Sequence, residues 1–258
     1  MERIPARPSI RLVPWLRAWR AGTVSLDDVV EVMSAASLAE VDQHVVDADA
    51  DVVLPCSLHD GLAPLSRVDA DEIRLVLPVP GDVRGLPRKG GFTEQALGSA
   101  EAIRAGDFGL VARWEQHTSG SGDTWHTLTW WRHRLPGGLV EVETMSVGEA
   151  DMALTEALRE ATRALDALDV AAWNGKAANQ NGLRDVTARQ LPVGFDTRAR
   201  LLYERAVLLD HALELARQDA MGGAVSAFEA QARLEALRPL AAACRAAVGA
   251  ACHARIRL

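Results

Sequence analysis

Residues 109–145 read GLVARWEQHTSGSGDTWHTLTWWRHRLPGGLVEVETM, three apolar runs separated by the breaks TSGSGD and PGG. Apolar residues at period two mark half-buried strands, and clusters of Gly, Ser and Asp mark the turns between them. The stretch therefore predicts a three-strand antiparallel meander. With Gly137 and Gly138 as a two-residue turn, Arg134 would lie opposite Glu141 and Arg132 opposite Glu143, a cross-strand charge pairing that would fix the register. Leu128, Trp130 and Trp114 share the even-numbered face, which calls for a covering helix. Trp130 and Trp131 are consecutive, so one of them must face away from the main core. Trp130 is taken as the candidate for a partner surface.

Upstream of the meander, VVLPC (52–56) and IRLVLPV (73–79) are compact apolar runs that predict further strands. A helix over Thr93–Ala105, capped by Thr93 and stopped by Gly106, interrupts them. The first fifty residues predict three short helices. Pro14 stands at the first helical position of one that stops at Gly22, and two capping boxes follow, Ser25 with Asp28 and Ser37 with Glu40.

Downstream the pattern turns helical, beginning with a further capping box at Ser146 and Glu149. Leu154, Leu158, Ala161, Leu165 and Leu168 advance by three or four residues and form one apolar stripe. Asn174–Val193 reads as a polar linker. Asp196 then caps a second long helix, and Gly222 with Gly223 turns it into a third that passes Pro239, where a kink is expected. The prediction is an α+β fold. Residues 1–147 hold short helices and a mainly antiparallel sheet with the meander at 109–145, and residues 148–258 hold a three-helix segment that includes an antiparallel helical hairpin.

With 258 residues, 48% of them hydrophobic and 24% charged, the chain has a globular composition, well away from disorder. No apolar run approaches the roughly eighteen residues needed to cross a bilayer, and no apolar segment follows the N-terminal arginines. Cys56, Cys244 and Cys252 make an odd count without metal-ligand spacing, the pattern of reduced thiols in a reducing compartment, so a cytoplasmic location is expected. Lys89 and Lys176 are the only lysines; the arginine and alanine bias is that of GC-rich codons and points to a high-GC bacterial genome. Five arginines precede Gly22, whereas Ala21–Ser66 has no Lys or Arg. The basic start is expected to pack on that acidic stretch, with an anionic partner as the sharper alternative. A helix-turn-helix reader is excluded because the second and third predicted helices are acidic.

The most suggestive local feature is PGDVRGLPRKGGFT (80–93), where Arg84, Arg88 and Lys89, the amides around Gly90 and Gly91, and a helix start at Thr93 could together hold a phosphate or carboxylate. Its spacing matches neither the P-loop nor the dinucleotide fingerprint. Cys56, Ser57, His59 and Asp60 lie too close in sequence to present a nucleophile to its base. His126 and His133 alternate to opposite strand faces, so no metal site is expected, and Asp210 with His211 reads as helix surface. No catalytic residue and no cofactor are assigned, and an enzyme is disfavoured. The expected function is interaction, scaffolding or regulation through helical and aromatic surfaces, namely Trp130 and the outer leucines Leu201, Leu208 and Leu215, with another protein or a second copy as partner. The alternative is an enzyme or sensor for a small anionic ligand at loop 81–93. Nucleic acid and membrane are disfavoured by a sequence pI near 5.5.

Overall fold

The computed structural model describes residues 7–35, 38, 41–137, 144–167, 190–218 and 227–257. The chain is α+β, with seven α-helices and one six-stranded sheet among the described residues. Met1–Glu143 with Pro192–Gly194 and Arg255–Leu258 form one compact unit, and Thr144–Leu191 with Phe195–Ala254 form the other.

The first unit runs α1 (Pro8–Arg20), α2 (Leu26–Met33), β1 (Asp42–Asp47), β2 (Cys56–Ser57) and α3 (Leu58–Leu62). Two 3₁₀ turns, Ala63–Arg67 and Ala70–Glu72, lead to β3 (Ile73–Val76), α4 (Gly91–Ser99), β4 (Ala102–Ala105), β5 (Phe108–Thr118) and β6 (Thr124–Arg134). The sheet order is β2-β1-β6-β5-β4-β3. From β3 to β6 every neighbour is antiparallel, whereas β1 joins β6 in parallel, with Asp42 opposite Thr127 and Asp47 opposite Arg132.

The first two strands of the expected meander are present, and together with the strand before them they form an antiparallel three-strand unit. It runs β4-β5-β6, because Ala102–Ala105 is a strand and the expected helix over Thr93–Ala105 ends at Ser99. The third strand proposed at 139–145 falls largely outside the described residues. Arg132 pairs with Asp47 of β1 at 3.1 Å, while the expected pairings with Glu141 and Glu143 lie outside the described residues.

Three further expectations are corrected. The first helix opens at Pro8, not Pro14, which lies inside it; Glu101, 3% exposed, accepts the Ser9 amide at 2.8 Å and so satisfies the new helix start. The third short helix is replaced by β1, a strand that depends on β6, some eighty-five residues later. VVLPC forms no buried strand: Val52, Val53 and Leu54 are 67%, 48% and 72% exposed. The capping box of Ser25 and Asp28 is present, while that of Ser37 and Glu40 lies outside the described residues.

Arg11 and Arg17 of the N-terminal segment are buried, and α1 packs against α2 within the acidic stretch that follows it. Arg17, 1% exposed, donates to Ala70 O at 3.0 Å and pairs with Asp71 at 2.8 Å. Arg20 donates to Val68 O at 2.8 Å. Both of these receivers follow Ser66, whereas Arg11 donates to Ala35 O at 3.3 Å within the acidic region. A buried guanidinium needs its donors satisfied, and the carbonyls of the 3₁₀ turns supply acceptors.

In the second unit, α5 (Val147–Ala167), α6 (Thr197–Gln218) and α7 (Ala227–Cys252) are the three expected helices, and α7 packs along both others. Ser146 and Glu149 form the expected box, and Asp196 accepts the Ala199 amide at 2.7 Å. Arg205 of α6 reaches Asp151 at 3.1 Å and Thr155 at 2.9 Å on α5. Arg198, one α6 heptad earlier, lies against Gly148, so α5 and α6 run in the same sense where they touch. Cys244 and Cys252 are fully buried in α7. The Gly222–Gly223 turn and most of the Asn174–Val193 linker lie outside the described residues.

Candidate functional site

Loop 81–93 is built by local turn chemistry. Val79 and Asp82 exchange backbone hydrogen bonds of 3.0 and 2.8 Å around Pro80 and Gly81, and Gly81 has φ +86°, a left-handed angle that glycine adopts without strain. Arg84 then folds onto Asp82 with two contacts, 2.7 Å from Nε and 2.8 Å from Nη2. This bidentate pair raises the Arg84 pKa and commits its charge within the loop. Gly90, at φ +119°, is the residue before α4 and supplies no side-chain cap. Thr93 is not the cap either: it is buried and its hydroxyl donates to Pro87 O at 2.9 Å, bracing the loop from inside. Gly91 lies against the His133 ring. Arg88 and Lys89 are exposed. Of the three cations considered for an anion, two therefore face solvent and one is held by Asp82.

The aromatic candidate is reversed. Trp130 is 0% exposed, set between Val45 on β1 and Ala112 on β5, with its indole N–H 3.4 Å from Gln43 Oε1. Trp131, on the opposite face, is the half-buried member of the pair. The face that α1 and α3 cover took the even-numbered residues.

The helical candidates all lie on α6. Leu201 is 61% and Leu208 38% exposed, Leu215 is half-buried, and all three repeat every seven residues along α6. Met152, beside the Asp151 that binds Arg205, is 65% exposed. The other side of α6 is core, with Leu202, Tyr203, Ala206 and Val207 at 3% or less. A shallow cleft of about 290 Å³ between α6 and α7 is lined by Leu213, Leu234, Leu237, Gln231, Glu235 and Arg238. Arg238 pairs with Glu235 at 3.3 Å.

One cluster escaped the sequence reading because it depends on β1. His44, His117 and His133 lie on the same sheet face, opposite that of Trp130. His44 Nε2 is 2.9 Å from the Thr129 hydroxyl, His117 Nε2 bonds the Thr127 hydroxyl, and His133 Nε2 is 3.1 Å from Gln95 Oε1. Trp125 stacks on His117 at 5.3 Å. Burial lowers the His133 pKa, against weaker opposing pulls from Asp49 and Asp47. Each ring is tied to a different neighbour, and among the described residues no group of His, Cys, Asp and Glu converges to hold a metal. At the Cys56 turn Ser57 caps α3 by accepting the Asp60 amide, and the Cys56 thiol lies 3.4 Å from Val45 O.

The architecture is thus a sheet unit and a three-helix unit, with its exposed chemistry on loops and helix faces. The chain belongs to the Rv1486c-like family: residues 9–145 match the description "Rv1486c-like protein, N-terminal domain" and residues 148–249 its "C-terminal domain". It is 30% identical to the uncharacterized protein Rv1486c of Mycobacterium tuberculosis (strain ATCC 25618 / H37Rv), over 93% of this chain and 94% of that one. It is 28% identical to the uncharacterized protein ML1804 of Mycobacterium leprae (strain TN), over 96% of each. No solved structure matches the chain. Among the described residues no helix is long and apolar enough to cross a membrane.

Proposed function

We propose that the chain is a cytoplasmic interaction protein whose partner surface is the outer stripe of α6, Leu201, Leu208 and Leu215, flanked by Met152 of α5. The observation that carries this reading is the exposure of Leu201 and Leu208 at seven-residue spacing, on a helix whose opposite side is already core. Leucines at that spacing form a straight seam that a second helix fills by knobs-into-holes packing, and each loses water only when a partner arrives. Self-association through the stripe is the simplest form. Light scattering at rising concentration should show the wild-type chain moving from monomer to dimer, while L201D/L208D stays monomeric with an unchanged helical spectrum. A wild type that remains monomeric, and that as bait retains no protein the variant fails to retain, would sink the reading.

Loop 81–93 supports a second reading, as a site for a small phosphate- or carboxylate-bearing ligand, because Arg88 and Lys89 stand exposed beside the uncapped start of α4. A rise in melting temperature with inorganic phosphate that disappears in R88A/K89A would favour it; no rise argues against it.

A further inference from the structure

The tip of the β1–β2 hairpin presents seven consecutive exposed residues, Asp49–Pro55, among them Val52, Val53 and Leu54 at 67%, 48% and 72% exposure. The tip is held firmly at its base. Ala48 N donates to Arg132 O at 2.8 Å, the Arg134 amide donates to Asp49 at 2.5 Å, and Cys56 and Ser57 pair with β1 at the return. Between these anchors, among the described residues, no hydrogen bond reaches Ala50–Pro55. Three aliphatic side chains and a run of unpaired peptide groups are therefore displayed together beside β2, the outermost strand of the sheet among the described residues. Burying exposed Val and Leu side chains is favourable, and unpaired backbone groups accept an added strand.

Charge selects the occupant. Asp49 and Asp51 precede the aliphatics, and Asp60 of α3 and Asp27 of α2 each lie 3.7 Å from the His59 ring between them. Ala21–Ser66 contains no Lys or Arg, and Arg132 of β6, beside the hairpin, pairs with Asp47, not with Asp51, Asp60 or Asp27. A second copy would set acid against acid, whereas a basic segment would be drawn in. We propose that this hairpin tip docks an extended segment of another protein in which aliphatic residues alternate with Arg or Lys, the aliphatics against Val52–Leu54 and the cations toward Asp51 and Asp60. Pro55, which has no N–H, limits backbone pairing to a short stretch, so the side chains carry the selectivity. The surface is separate from the α6 stripe and stands without it.

The probe is a fluorescent synthetic peptide of alternating arginine and valine, titrated into the full chain by anisotropy. Wild type should bind it, V52S/L54S should bind roughly tenfold more weakly or worse, and D51K should be weakened with a flatter salt dependence. L201D/L208D should bind as wild type does. All substituted positions are exposed, and circular dichroism checks the fold. The proposal is overturned by equal affinity in V52S/L54S, by equal binding of an arginine–serine or a glutamate–valine peptide, by no binding at millimolar peptide, or by a wild-type dimer that V52S/L54S abolishes.

Discussion

On one face of the sheet Trp130, Leu110, Leu128 and Ile103 are 0% exposed beneath α1 and α3; on the other, α4 covers Val76, Ala102 and Val111, and the strands beyond it carry His44, Thr129, Thr127 and His117. Both faces use a glycine where a helix meets a strand. Gly61 of α3 admits Val45 of β1, and Gly109 of β5 admits Phe92 of α4. The first face is thus fixed by apolar volume and the second partly by hydrogen bonds between side chains. Because interiors are close-packed, volume errors on the first face cannot be absorbed, while the polar rows of the second can exchange a protein partner for water.

Trp130→Ala should be the largest single effect, a loss of about 3–5 kcal/mol in denaturant unfolding, since it empties the centre of the dry face. Trp131→Ala, on the other face and half-buried, should cost distinctly less; equal costs would erase the contrast. Gly61→Ala comes next, at about 1–3 kcal/mol. An added Cβ there would sit 2.3 Å from Val45 Cβ, an atom fixed to the backbone of a central strand. At Gly109 the obstacle at 2.4 Å is the Phe92 ring, which can swing about its own torsions. Gly109→Ala should therefore destabilise less than Gly61→Ala, and the reverse order would show that α4 is the more rigid lid. Thr129→Val removes the hydroxyl that meets His44 without changing volume, and should cost about 0.5–1.5 kcal/mol.

The same contrast explains what could be read from sequence. Helix α5 was legible because its stripe and its Ser146–Glu149 cap are local, and β5 and β6 because their alternation and the SGSGD turn lie side by side. β1 was not. DQHVVD contains two adjacent valines, both buried, since a strand paired on each side has core on both faces, so alternation is lost and the ladder to β6 is invisible locally. β1 carries Asp47, which meets Arg132, and His44, which meets Thr129, and it helps to bury Trp130, so none of these contacts is legible without it. β4 was hidden for a related reason: Ala102–Ala105 has alanine propensity for helix, and its pairing with Ile73–Val76 overrides that preference. In the anion loop the residues were legible but the pairing was not, because Arg84 and Asp82 are equally compatible with solvent and with each other.

The polar face can finally be separated from the dry one by pH. His133 is 5% exposed beneath α4, and burial lowers its pKa from the ordinary 6.5. Above that value both folded and unfolded chains hold the ring neutral. As pH falls through it, the unfolded chain takes up a proton that the folded chain refuses, so stability falls with acidification, with a slope below about 1.4 kcal/mol per pH unit. Urea unfolding between pH 7.5 and 5.5 should show this loss in the wild type and a flatter profile in His133→Gln, whereas Trp131→Phe, on the same face but without a titrating group, should keep the wild-type slope. A His133→Gln profile as steep as the wild type would assign the acid sensitivity to other histidines. The ion pair of Asp47 with Arg132 adds nothing in this window, because burial is opposed there by hydrogen bonds that hold the carboxyl pKa low, and its contribution is lost only at more acid pH.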